Sequence, residues 1–499
     1  MIKVTSVDNM RKSDAHTIKT KVPSKELMER AGTAVSEAMP IRLPCAIVCG
    51  SGNNAGDGFV IASLMHREGL DCTVFLIEER FSEDGAYFFN ECKKIGVNVK
   101  AGIDALVLDG FSSVIDCIFG TGFKGEVREP YRTAIERINQ SGAYVISVDI
   151  NSGLDGDSGL CDICVHSDLT VSVGNFKSGL FLNSAKDVMK DKLNCDIGIE
   201  LVDKPWHLIE AKDIKGLFLN RPQNSNKGDY GYVALISGSR EYSGAAKLAN
   251  LSLSALRSGA GVAKLAVPES ITDGVLPYLL ESTLYPLSCD EKGYRFSQDN
   301  VQGLIKGTAA VAVGMGMGRS EEVKKLIDYL LTNYLGRLII DADGLNALSD
   351  LDRILLKNAA CKVVLTPHPK EFERLCGSSV DEILNDPISA AKEYAKENGV
   401  ILLLKGACTV ITDGDTVYLS DRGCAGMATA GSGDVLSGVL TGICGYVRDG
   451  DLLLGVSAGA YMAGLAGEIA CLDIPEACMV ASDTVKAIPR AVKQIISQE

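Results

Sequence analysis

Two glycine-rich turns carry most of the polar groups that could do chemistry. The first, residues 48–58 (Val-Cys-Gly-Ser-Gly-Asn-Asn-Ala-Gly-Asp-Gly), sets Asn53, Asn54 and Asp57 among glycines. Glycine permits positive φ and close approach of a ligand to the backbone, and a helix opening behind such a turn favours an anion. Read loosely, Gly50-x-Gly52-x-x-Ala55 fits the dinucleotide fingerprint, with Glu78 as candidate ribose-binding acid. The bland reading is a tight strand-to-helix turn, and neither reading explains the Asn-Asn and Asp57 polar core. Two more segments, 116–126 (Asp-Cys-Ile-Phe-Gly-Thr-Gly-Phe-Lys-Gly-Glu) and 148–155 (Val-Asp-Ile-Asn-Ser-Gly-Leu-Asp), end candidate strands in polar residues. An aspartate at one strand end is more often a helix cap than a catalyst, but three such ends should converge beyond an open parallel sheet. Asn54, Asp116 and Ser152 would then offer the oxygen donors that suit a hard cation.

The second turn, residues 427–438 (Met-Ala-Thr-Ala-Gly-Ser-Gly-Asp-Val-Leu-Ser-Gly), precedes a small-residue apolar segment. The amides of Gly431, Ser432 and Gly433 at a helix start would form an anion hole for a phosphoryl group. Asp434 could accept the proton of an attacking hydroxyl; its structural alternative is an acid favoured by the helix dipole. This is not a Walker A loop, because GxxxxGK[ST] is absent. Lys405, in Leu-Lys-Gly-Ala-Cys-Thr, offers a cation on a flexible turn suited to a nucleotide phosphate, and His368 stands between two prolines in a stiff turn of the kind that lines sites. Asp341 and Asp343 read as caps first and ligand contacts second.

The elements that must hold these groups are short apolar runs alternating with helix-length stretches. In the first half the runs are 45–50, 72–78, 113–120 and 143–150, with a helix expected over 59–68. The polar segment 221–227 marks a boundary, giving domains at 1–215 and 220–499. A second series follows at 231–238, 262–267, 309–314, 338–341, 363–366 and 400–405. Such alternation specifies βαβ units, so the fold class is α/β, with two parallel-sheet domains. The apolar run 452–467 is too short for a bilayer and reads as a buried helix.

Composition narrows the classes further. With 46% hydrophobic and 23% charged residues the chain is globular rather than disordered. A net charge of −14 repels phosphate backbones, so nucleic acid is not an expected partner, and neither is a membrane. The N-terminus has no signal- or transit-peptide character, and 16 scattered cysteines fit a reducing compartment; a cytoplasmic homo-oligomer is expected. The pair Cys161/Cys164 lacks a second CxxC to complete a zinc pattern.

The stretches GSGNNAGDG, DCIFGTG, SVDINSGLDGDSG and the opening Leu-Met-Glu-Arg-Ala-Gly at 27–32 resemble the NAD(P)H-hydrate epimerase family over most of residues 1–210. TPHPKEF, the Lys-Gly-x-x-Thr turn and TAGSGD together resemble the ADP-dependent NAD(P)H-hydrate dehydratase family over roughly 220–495, within the ribokinase-like superfamily. The resemblance implies two three-layer domains, a Rossmann-like parallel sheet and a ribokinase-like α/β domain. It implies substrate contact by Asn53, Asn54, Ala55, Gly56 and Asp57, by Gly120, Thr121, Gly122, Phe123, Lys124, Gly125 and Glu126, and by Asp149, the expected epimerase acid–base. Potassium (K+) would be held by Asn54, Asp116 and Ser152. In the second domain Ala260, Gly316, His368 and Asp434 would contact the hydrated nicotinamide nucleotide. Lys405, Gly406, Ala407, Cys408, Thr409 and Gly433 would bind the adenine nucleotide, with magnesium (Mg2+) present and ADP as co-substrate. The expected substrates are NADH and NADPH hydrates and ADP. Departures from the family pattern are Ala55 for Gly, Asn151 for Pro, Met315 and Met317 for Pro and Leu, and Cys424 for Asn. The alternative expectations are a vitamin or sugar kinase with a dinucleotide-binding appendage, a non-catalytic sensor, and, least favoured, a dehydrogenase.

Overall fold

The computed structural model describes every residue except 219–220, 255–256 and 498–499, with the backbone alone at 252–254. The chain divides into two compact units, Lys3–Trp206 and residues 207 onward, the latter joined by Met1–Ile2. The division falls ahead of the polar segment because His207 and Leu208 pair in parallel with Tyr418 and Leu419. The expected domain start at 220 lies outside the described residues.

In the first unit seven parallel strands run in the order Asn98–Ala101, Cys72–Leu76, Cys45–Cys49, Ser113–Cys117, Tyr144–Val148, Ser167–Val173, Met189–Cys195. Alternate residues point to opposite faces. Cys45, Ile47, Cys49, Ile115 and Ile146 enter a core formed with Phe59, Met65 and Phe89, whereas Ala46, Val48, Val114 and Val145 pack against Ala134, Ile135 and Ile138. A sheet buried on both faces explains why the central strands read as unbroken apolar runs. The edge strands Asn98–Ala101 and Met189–Cys195 are polar and mostly exposed, so they carried no such signal.

The second unit holds the parallel strands Thr283–Leu287, Val262–Pro268, Tyr232–Ile236, Ala310–Val313, Arg337–Ile340, Lys362–Leu365 and Ile401–Leu404, in that order. Thr409–Thr412 and Val417–Ser420 then extend it antiparallel. Val233, Leu235, Ala312, Ile339 and Val364 share a core with helices Ser432–Tyr446 and Leu452–Cys471. The latter is the one described helix long and apolar enough to cross a membrane, and it is packed inside this core.

Two turns position the second unit's strand-end acids. Ala342, between Asp341 and Asp343, is a non-glycine residue at φ 48°. Gly314, at φ 121°, lets the neighbouring strand end close in: a Cβ there would lie 2.0 Å from the Asp341 carbonyl oxygen. Gly314→Ala combines backbone strain with a backbone clash, and should destabilise the second unit by about 3 kcal/mol or more in urea unfolding.

Candidate active sites in the two units

In the first unit the polar core of the glycine turn is helical. The helix runs Asn53–Arg67, not 59–68, with Gly52 at φ 100° as its cap. Asn53 to Asp57 therefore form its opening turns, because Gly52 alone absorbs the reversal from strand to helix. Gly50 allows the next strand end to approach: a Cβ there would sit 2.3 Å from the Ile118 carbonyl oxygen.

A cleft of about 770 Å³ opens beside this turn, lined by Asn53, Asn54, Asp57, Gly120, Thr121, Gly122, Phe123, Lys124 and Asp149. Gly120 sits between Asn54 and Asp149, where a Cβ would be 3.5 Å from Asn54 Cβ and 3.6 Å from Asp149 Oδ2. Phe119 stacks on Phe123 with centroids 4.8 Å apart, fixing the 119–123 loop. Ala55 and Gly56 are buried behind the cleft, and Gly125 and Glu126 are exposed outside its lining. Glu78 also stays outside, accepting a 2.8 Å hydrogen bond from Tyr131, so it is not placed to read a ribose.

Three cleft groups have no motif in the sequence. Arg11 and Asp14 come from the helix Val7–Thr20, and Lys177 from the two-residue strand Phe176–Lys177, whose register pairs Lys177 with Thr5. Lys177 is 2% exposed and its Nζ donates to Asp149 Oδ1 at 2.5 Å and to the Val173 carbonyl at 2.7 Å. Asp149 itself stands at φ 69°, a strained conformation for a residue with a side chain. Burial pushes Asp57 well above the carboxylate range, aided by Asp149 and Asp14 and opposed by Lys177. Asp14 rises to about 6, again chiefly through burial. The cleft thus holds protonatable carboxyls beside an ion-paired one.

Asp116 and Ser152 lie fully buried, outside the cleft's lining. Ser152 Oγ donates to Asp116 Oδ1 at 2.5 Å and accepts from the Phe119 amide at 2.8 Å, while Asn54 Nδ2 donates to the Phe119 carbonyl at 2.9 Å. Asn54 Oδ1 is buried without a hydrogen-bond partner, and burial raises the Asp116 carboxyl against its hydrogen bonds from Ser152, Ile118 and Ser147. An orphaned amide oxygen beside a buried carboxylate is a donor set that fits a potassium ion. Asn151 is held by hydrogen bonds to Val165, Ser167 and Val188 and from Thr170, so the turn is tied by its side chain.

In the second unit Gly431, at φ 93°, opens the helix Ser432–Tyr446 with no side-chain cap on its first amides, and Asp434 falls in the first turn. A Cβ on Gly433 would lie 3.7 Å from both Asp341 Oδ2 and Lys405 Nζ, so these groups share one site. Lys405 is not a free phosphate clamp: its Nζ is 3.0 Å from Asp341 Oδ1 and 3.6 Å from Glu371 Oε2. Burial acts to lower the Lys405 ammonium but is outweighed by Asp341 and Glu371. Asp341 also accepts from Ser437 at 2.7 Å, which makes it a site residue rather than a cap. Asp343 does serve the loop, accepting from the Gly318 amide at 2.8 Å.

His368 caps the helix Pro369–Cys376, its Nδ1 accepting from the Lys370 and Glu371 amides. Burial lowers its pKa, so the ring is neutral and keeps its proton on Nε2. Gly406 and Ala407 are exposed, Gly316 and Thr409 half-buried, Cys408 and Ala260 buried, so Cys408 and Ala260 present no side chain to a ligand. Met315 and Met317 are core residues.

Burial pushes Asp434 up to about 7, with Asp341 and Asp343 adding to the rise and Lys405 opposing it. Four carboxyl groups, Asp341, Asp343, Glu371 and Asp434, against one ammonium leave a surplus of hard oxygen donors, which fits a magnesium ion carried with a nucleotide.

Fold and sites together define a two-part α/β enzyme whose second part has the ribokinase-like fold; a ribokinase-like superfamily protein of Enterococcus faecalis matches it with TM-score 0.50 at 20% identity over 59% of this chain and 97% of that one. The family model described as NAD(P)H-hydrate dehydratase matches residues 233–490, and that of the YjeF-related protein N-terminus matches 24–179. The chain is 33% identical to the bifunctional NAD(P)H-hydrate repair enzyme Nnr of Pyrobaculum aerophilum, with 99% of each covered, and 34% identical to that of Archaeoglobus fulgidus, with 93% of each covered. The ADP/ATP-dependent NAD(P)H-hydrate dehydratase of Bacillus subtilis, co-crystallised with ATP and magnesium, matches with TM-score 0.50 at 26% identity over 58% of this chain and 99% of that one. The chain belongs to the bifunctional NAD(P)H-hydrate repair enzyme family.

The raised Asp434 has a stability consequence. Its folded state favours the protonated carboxyl, so the stability that it contributes is full below about pH 4 and is lost as pH rises to about 7. Asp434→Asn, uncharged throughout, should be ~2–4 kcal/mol more stable than the parent at pH 8 and indistinguishable from it near pH 4, read by chemical denaturation.

Proposed function

We propose that this chain repairs hydrated nicotinamide nucleotides in two steps. The first unit interconverts the (6R) and (6S) hydrates of NADH and NADPH, and the second removes water from the (6S) form with ADP, giving NAD(P)H, AMP and phosphate. The observation that carries the reading is Asp434, a carboxyl poised at about 7 in the first turn of a helix whose leading amides have no side-chain cap. A base matched to neutral pH and a ready anion hole are what phosphoryl transfer to an unactivated alcohol needs.

In the second unit Asp434 takes the proton of the C6 hydroxyl as its oxygen attacks the β-phosphoryl of ADP, whose oxygens lie on the amides of residues 431–433. AMP leaves. Phosphate is a better leaving group than hydroxide, so the N1 lone pair expels it, and loss of a C5 proton restores the ring double bond. Lys405 holds Asp341 in place, and its charge limits how far Asp434 rises. Magnesium, held by the nucleotide and the carboxylates of Asp341 and Asp343, would supply positive charge to the phosphates.

In the first unit a protonated carboxyl delivers its proton to the C6 oxygen, water departs with help from N1, and water returns to the other face of the planar carbon. Asp149 is the acid and base at that oxygen, and the proton that it delivers comes from Asp57, held well above the usual range. Lys177 orients Asp149. Potassium on Asn54, Asp116 and Ser152 would supply positive charge behind the cleft. The Asn53–Asp57 turn and the 120–126 loop contact the nucleotide.

The test is recovery of the near-ultraviolet absorbance of reduced nicotinamide from a mixed hydrate with ADP. Asp434→Asn should abolish recovery, at least a hundredfold, while C6 inversion persists. Asp149→Asn should recover the (6S) fraction only. Loss of both activities in either variant would refute the division between the units. Lys177→Met leaves Asp149 without its buried partner and should cut inversion about tenfold or more while dehydration is unchanged.

A further inference from the structure

Two thiols and a thioether lie close together in the second unit. Cys424 Sγ lies 2.9 Å from Cys471 Sγ, and Cys471 Sγ lies 3.3 Å from Met479 Sδ. A carboxylate oxygen of Glu476 is within 4.8 Å of both thiols. The three sulfurs come from separate elements. Cys424 caps the short turn Ala425–Met427, Cys471 ends the buried helix Leu452–Cys471, and Met479 follows the turn Glu476–Cys478. Gly426 lets the sulfurs pack close to the backbone, since a Cβ there would sit 2.9 Å from Met479 Sδ and 3.2 Å from Cys471 Sγ. Met479 is buried, the two cysteines are half-buried and Glu476 is exposed.

Thiolate and thioether are soft donors, and a set of three selects a d10 cation such as Cu(I) over the hard, oxygen-seeking magnesium and calcium. We propose that Cys424, Cys471 and Met479 form a binding site for a thiophilic d10 cation, of which Cu(I) is the type, with Glu476 at its rim. Binding exchanges two thiol protons, released to solvent, for two metal–thiolate bonds, adds a bond from the Met479 thioether lone pair, and changes the oxidation state of neither metal nor sulfur. The cation would tie the turn that leads into Gly431–Asp434 to the end of the buried helix.

The test is an anaerobic titration of the fully reduced chain with Cu(I) buffered by a chromogenic chelator, read by competition and by thiolate-to-Cu(I) charge-transfer absorption. The parent should bind one equivalent more than the Cys424→Ser/Cys471→Ser double variant. Cys161→Ser/Cys164→Ser should retain that equivalent, which separates this site from the other cysteine pair. Met479→Leu keeps the buried volume and should fold, yet weaken binding about tenfold or more. The proposal is overturned if the double variant binds as many equivalents as the parent or if Met479→Leu binds unchanged. It is also overturned if the reduced protein has no affinity for Cu(I) and the two cysteines instead form a disulfide in air. The titration reads no catalysis, so its outcome is independent of the repair activity.

Discussion

Each unit removes one lysine ammonium from bulk water and clamps it to an aspartate at the end of a parallel strand. Lys177 holds Asp149 in the first, and Lys405 holds Asp341 in the second. An isolated charge in such a place would be prohibitive, and the pair is tolerable because each lysine has further oxygen partners. One cation cannot neutralise every carboxyl around it. Asp57 and Asp14 in one unit and Asp434 in the other are left short of positive charge and hold their protons to higher pH than an ordinary carboxyl. The proposed proton transfers in both sites depend on this shortfall.

Backbone geometry serves the same end. Asp149 and Ala342 accept strained positive φ at the two strand ends, and Gly50 and Gly314 let neighbouring strand ends touch where any side chain would collide. The helix starts at Asn53 and Ser432 sit behind glycines at φ 100° and 93°, which leaves their first amides pointing at ligand space rather than at a capping side chain. A fold built from βαβ units brings such features together at the carboxyl edge of the sheet, so unrelated chemistries in the two units share one construction.

Much of this was legible in the sequence where the signal was local. Central strands such as Cys45–Cys49 and Ala310–Val313 announce themselves because both faces are buried. The glycine turns and Asp434 are contiguous motifs. Lys177, Arg11 and Asp14 were not legible, since each reaches the cleft through pairing or packing distant in sequence and none sits in a patterned segment. The ion pair of Lys405 is not legible either, because nothing local reveals that Asp341, 64 residues away, holds its ammonium. The edge strands were missed for a related reason: with one side open to water they keep polar residues and lose periodicity.

The most direct test of the central claim is the pH dependence of kcat/KM for nucleotide-dependent dehydration. If a base short of positive charge accepts the hydroxyl proton, the rate rises with pH through a limb near the 7 assigned to Asp434. A rate already flat above about pH 5, as an ordinary carboxylate would give, contradicts the account.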